Sequence, residues 1–67
     1  MDDRARALAE LQAIAGEIDS AEQRVRELAG RRDELIRAAV TVGVPRRQIA
    51  LAADISRSTV YAAAPTT

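Results

Sequence analysis

The sequence predicts an all-α protein: one long N-terminal helix of coiled-coil type running into a compact three-helix head. Three observations carry that expectation. No proline interrupts the chain from Asp3 to Thr41, and apolar residues recur there at alternating steps of three and four. Ala, Leu, Glu, Arg and Gln dominate the composition, and all are good helix formers. Beyond Thr41, Gly43-Val44-Pro45 and Asp54-Ile55-Ser56 punctuate two short apolar-periodic runs, and Pro65 closes the second. The chain accordingly divides into an oligomerisation helix over 3–32, a head over 33–64 and a tail over 65–67.

In the first element, Leu11, Ile18, Val25, Arg32 and Ala39 share one heptad position, and Ala7, Ile14, Ala21, Leu28 and Leu35 share the other. These are the a and d positions of a coiled-coil seam. As a single helix the segment runs roughly 60 Å at about 1.5 Å per residue, too long for a small head to cover. A second copy is expected on the stripe, with Leu11, Ile14, Ile18, Val25 and Leu28 at the interface of a homodimer. A helix that folds back on itself, or one that packs a different protein, would also cover it.

The fold-back reading has local support. Ser20-Ala21-Glu22-Gln23 matches a capping box, in which Ser and Gln side chains satisfy exposed amides at a helix start. Gly16, just upstream, costs a helix close to ~1 kcal/mol relative to Ala. Against it, no proline or turn-forming pair lies between Glu17 and Gln23, and the heptad phase passes through unbroken. Gly16 and Gly30 both fall at the outward f position. One continuous helix is the expectation.

The head begins with the last part of the long helix, 33–42, which offers Leu35, Ile36, Ala39 and Val40 to a core. Gly43 suits a left-handed helix stop, with Val44 as the apolar residue that closes such a cap. Pro45 suits the first turn of the next helix, 45–53, where its missing N–H is no loss. That helix should bury Ile49, Ala50 and Ala53, with Ala50 small because two helices cross there. Asp54 takes the turn, at a site needing tolerance of positive φ. Ile55 plugs the core and Ser56 is a natural N-cap for the third helix, in which Val60 and Ala63 point inward.

Composition narrows the function. Sixty-seven residues make one domain with a marginal core. The chain has neither cysteine nor histidine, and its carboxylates and hydroxyls do not cluster, so the expectation is no enzyme, no metal and no cofactor. No apolar run approaches the roughly 18 residues that span a membrane, and Met-Asp-Asp-Arg does not open a signal peptide. A cytoplasmic, nucleoid-associated location is expected, with no membrane partner and no small-molecule ligand. All ten basic residues are arginine, and lysine and asparagine are absent, which marks a GC-rich genome such as a high-GC bacterium or its phage.

The net charge of zero hides an asymmetry. Residues 1–30 carry seven acids against four arginines, whereas residues 31–67 carry six arginines against three acids. A basic C-terminal half beside an acidic arm fits a reading head joined to an assembly arm.

The run Ile49-Ala50-Leu51-Ala52-Ala53-Asp54-Ile55-Ser56-Arg57-Ser58-Thr59-Val60-Tyr61 carries the most information. It resembles the helix-turn-helix of small bacterial and phage DNA-binding modules of the resolvase/invertase type, where I-A-x-x-x-G-[VI]-S-R-x-T-V-Y recurs. The resemblance covers residues 33–64, about half the chain. It departs at Asp54, where relatives carry glycine, and at Ala62-Ala63-Ala64, where they often continue with Arg or Lys.

What the resemblance implies is a sequence-specific binder of double-stranded DNA, with the helix starting at Ser56 in the major groove. Arg57, Ser58 and Tyr61 would face base edges, arginine being well matched to guanine O6 and N7. Arg46, Arg47, Gln48, Ser56 and Thr59 would grip phosphates. Blander roles stand beside these: Arg46-Arg47 as a solvated charge pair, Ser56 as a cap alone, Tyr61 as a lid on the core. The implied protein is a small dimeric transcriptional regulator or a phage or mobile-element accessory factor. The alternatives are an assembly adaptor whose helix-turn-helix docks protein, and a targeting domain whose catalytic partner is another chain.

Helix orientation stays open at this level. In a parallel dimer, Glu17 faces the partner's Glu22 and Arg32 faces the partner's Arg32. In an antiparallel one, Leu11 meets the partner's Leu28, Ile14 its Val25 and Ile18 its Ala21, while Glu10 and Glu17 lie beside its Arg31 and Arg24. Each such exposed pair contributes only about 0.2–1 kcal/mol. A palindrome asks for heads roughly 34 Å apart, which suits the parallel form.

Overall fold

The computed structural model describes residues 2–65, which excludes Met1 and, of the expected tail, Thr66 and Thr67. It contains three helices and, among the described residues, no strand: α1 (Asp3–Thr41), α2 (Arg46–Ala53) and α3 (Arg57–Ala63). The molecule measures 63 × 18 × 16 Å, so one dimension is set by α1 alone.

α1 is a single 39-residue helix that passes through Gly16 and Ser20 without a break. Ser20 therefore caps nothing. The actual start is Asp2, whose carboxylate accepts from the Arg4 N–H at 3.0 Å and satisfies one of the orphan amides of the first turn. Unbroken heptad phase and the lack of proline or a turn-forming pair between Glu17 and Gln23 account for the continuity.

α1 ends as Gly43 suggests. Val44 N–H donates to the Ala39 carbonyl at 3.1 Å and Gly43 N–H to the Val40 carbonyl at 3.0 Å. With Gly43 at φ 89°, this is the paired bonding of a Schellman stop. Val44 and Ala39 close it as half-buried apolar neighbours of the core.

The same device is used a second time. Asp54 sits at φ 57°, ψ 47°. Ile55 N–H donates to the Ala50 carbonyl at 3.0 Å and Asp54 N–H to the Leu51 carbonyl at 3.3 Å. The left-handed step turns the chain sharply and drops Ile55 against the core. Ser56 then caps α3, its hydroxyl accepting from the Thr59 N–H at 3.2 Å.

The core consists of Ile36, Ile49, Ala50, Val60 and Ala64, with Val60 fully enclosed. Ala39, Val40, Val44, Ile55 and Ala63 pack around it. Three assignments need correction. Leu35, expected inside, is 52% exposed, because the head packs on the side of α1 that carries Ile36 and Val40. Ala53, expected inside, is only half-buried and lies outside this cluster, whereas Ala64, which had no core role assigned from sequence, is buried. Among the described residues, five buried side chains make a small core, as expected at this chain length.

Candidate functional site

Two surfaces stand out, one on the head and one along α1. The head surface is built by the turn between α2 and α3. Capping by Ser56 fixes where α3 begins, so Arg57 and Ser58 occupy its first turn and are exposed. Val60, two residues later, is fully buried and anchors the opposite face of the helix. Arg57 is thereby held on a rigid platform whose other side is core.

Ser56 and Thr59 are less free. Their hydroxyls bond each other at 3.0 Å, and Ser56 also holds the Thr59 amide. Their first task is to close the N-terminus of α3, the cap role weighed for Ser56 from sequence.

The six arginines of the basic half separate into three pairs. Arg31 and Arg32 bond acids on α1, Arg31 to Glu34 at 3.2 Å and Arg32 to Asp33 at 3.1 Å. Arg37 and Arg46 reach the C-terminal end of α3, donating to the carbonyls of Ala63 at 3.4 Å and Ala64 at 3.2 Å. Arg47 and Arg57 are exposed and make no hydrogen bond or ion pair among the described residues.

The second pair is what sequence reasoning missed. α3 has no basic residue in its last turn. Its terminal carbonyls and the negative end of its dipole are served by arginines from α1 and α2. Arg46 also lies over the Tyr61 ring, 4.8 Å from its centroid. Its Nε is buried without a partner. Arg46, expected on a phosphate, and Tyr61, expected on a base edge, thus meet each other. A helix lacking its own C-terminal cation was the signal that could have raised this role for Arg46.

Arg57 and Ser58 in the first turn of α3 and Arg47 and Gln48 in the first turn of α2 are all exposed, as is Asp54 in the turn between the two helices.

The second surface is the α1 stripe. Leu8, Leu11, Ile14, Ile18, Val25, Leu28 and Leu35 are between 48% and 64% exposed. Toward the head the stripe opens into an apolar groove of about 630 Å³ between α1 and α2, lined by Leu28, Arg32, Leu35, Gln48 and Ala52 among others. Contiguous exposed apolar surface of this kind marks an interaction face.

Among the described residues there is no cluster of acidic side chains that could hold a metal ion, and no helix is long and apolar enough to cross a membrane. No protein-family model, curated protein or solved structure matches the chain.

Proposed function

We propose that this protein binds double-stranded DNA through its head, with the first turn of α3 in the major groove and α1 joining two copies. The observation that carries this reading is the pair of unengaged arginines. Arg57 on α3 and Arg47 on α2 stand exposed on a head whose other two arginines, Arg37 and Arg46, are occupied.

Arg57 reads base edges in this proposal, with Ser58 as a permissive neighbour. Arg47 and Gln48 hold phosphate at the start of α2, where unpaired amides favour an anion. Ser56 and Thr59 position α3, and Tyr61 and Arg46 brace it. A single head offers few phosphate contacts, so its affinity alone is low. Two linked heads bind more tightly because the second contact becomes intramolecular. The protein then acts as a small regulator or as an accessory factor of a phage or mobile element.

The test is selection of bound duplexes from a random pool, followed by the same selection with Arg57→Ala. The expected result is an enriched motif that the variant loses while its helix content is unchanged. A variant that enriches the same motif would refute the role of Arg57.

The apolar groove favours a second reading, in which the head is a docking surface for protein. Salt separates the two. DNA binding weakens steeply as salt rises because counterions are released on binding, whereas apolar docking does not.

A further inference from the structure

We infer that α1 pairs with a second copy of itself in antiparallel orientation, about a two-fold axis lying between Asp19 and Ser20. The inference rests on the dimer proposed above but not on DNA binding. Three independent features select the same axis.

The first is the extent of the free seam. α1 starts at Asp3, and the head closes over it at Ile36, its one buried residue. An antiparallel partner that runs the whole open length sets Asp3 level with the partner's Ile36. That register also puts Leu11 against the partner's Leu28, Ile14 against its Val25 and Ile18 against its Ala21. The ends of the exposed seam and its apolar pattern therefore agree without adjustment.

The second is volume. In this register two small seam residues meet large ones: Ala21 meets the partner's Ile18, and Ala7 meets its Arg32. A parallel pair instead stacks Ala7 on Ala7 and Ala21 on Ala21, leaving gaps, and sets Arg32 on Arg32. Interiors are close-packed, so the complementary arrangement is favoured.

The third is charge. Glu10 and Glu17 make no ion pair among the described residues. The register places them beside the partner's Arg31 and Arg24, and the two-fold axis doubles the set. Arg24 and Arg31 are 69% and 66% exposed and pair only with a glutamate one turn along their own helix. Each guanidinium has further donors to offer. Parallel pairing brings none of these contacts and sets Glu17 against the partner's Glu22.

The groove gains an occupant as well. Its α1 wall runs from Leu28 to Ala39. Residues 3–11 of the partner lie level with 28–36, so its first two turns, carrying Ala7 and Leu8, run along the groove mouth. Leu8 sits one step off the a/d seam and is 61% exposed. The heads then lie at opposite ends of the rod, about 55 Å apart at ~1.5 Å per residue. That exceeds one DNA turn of roughly 34 Å, so the two heads do not read adjacent half-sites.

The chain lacks cysteine, which makes cross-linking clean. Leu11→Cys and Leu28→Cys chains, both at exposed seam positions, are oxidised separately and as an equimolar mixture, with sedimentation giving the native mass. The expected result is a dimeric mass and a disulfide-linked dimer formed from the mixture alone. In the antiparallel rod, Leu28 and the partner's Leu28 are about 26 Å apart at ~1.5 Å per residue, far beyond the roughly 4.4–6.8 Å between Cα atoms that a disulfide spans. Self-cross-linking of Leu28→Cys as fast as the mixture overturns the orientation and leaves the dimer standing. A monomeric mass overturns the pairing itself. Neither result bears on base reading by Arg57, which the duplex selection tests separately.

Discussion

Replacing Arg46 by Met distinguishes a brace from a phosphate ligand. Methionine keeps most of the aliphatic stem, so the change removes mainly the guanidinium. Two favourable contacts are lost. The bond from Arg46 to the Ala64 carbonyl is 3.2 Å long and half-buried, and a charged donor of this kind contributes roughly 1.5–3 kcal/mol. The stacking on Tyr61 is at 4.8 Å, but the ring is 45% exposed, which limits it to about 0.5–1 kcal/mol. One cost disappears, since the buried Nε has no partner and its desolvation offsets about 1 kcal/mol or more. The net loss is then about 1–3 kcal/mol, or a fall in Tm of roughly 4–24 °C for a domain of this size. Tyr61 is the sole aromatic residue and sits in the head, so its emission follows the head without interference from α1. Denaturation is compared at one fixed protein concentration, because association would otherwise shift the midpoint. An unchanged midpoint, accompanied by weaker DNA binding with a shallower salt dependence, would refute the bracing role and return Arg46 to the phosphate set.

Further substitutions probe the helices and the stripe. Gly16→Ala, at a helical site with nothing within 4 Å of the added Cβ, should raise stability by about 0.5–1 kcal/mol, whereas Gly43→Ala, at φ 89°, should lower it by about 1–2 kcal/mol; thermal melts showing no gain for Gly16→Ala would speak against a continuous α1. Asp54→Gly should gain about 0.5 kcal/mol, since relief of the left-handed strain slightly exceeds the added freedom of the unfolded chain, and Asp54→Val should lose more than about 1 kcal/mol in the same melts. Leu28→Asp should halve the sedimenting mass while leaving Tyr61 emission native, because its charge enters the α1 seam and not the head core; an unaltered mass would sink the coiled-coil proposal.

Much of the fold was legible because its signals are local. A run without proline and with steady heptad phase specifies one long helix, and the structure extends it over Asp3–Thr41. Gly43 and Asp54 were readable as left-handed stops because few residues tolerate that region, and both adopt positive φ. Ser56 was readable as a cap because its hydroxyl needs only the amide three residues on. Ile36, Ile49, Ala50 and Val60 followed from periodicity.

What the sequence did not reveal depends on contacts between residues far apart in the chain. Periodicity offers both Leu35 and Ile36 to a core, and only the docking of α2 and α3 decides that Ile36 is enclosed and Leu35 exposed. Arg46 and Arg47 looked equivalent in the chain, adjacent and with the same charge and reach, and both were assigned to phosphate. Tertiary structure divided them by bringing the carbonyls of Ala63 and Ala64 within reach of Arg37 and Arg46, 26 and 18 residues away in sequence. That division left Arg47 and Arg57 exposed and unengaged. The sequence by itself thus determined where helices begin, stop and carry apolar faces, because those are short-range choices of backbone and spacing. Which arginines serve the end of α3 was decided only by tertiary packing, because a helix end takes its counter-charge from whichever side chain folding places beside it.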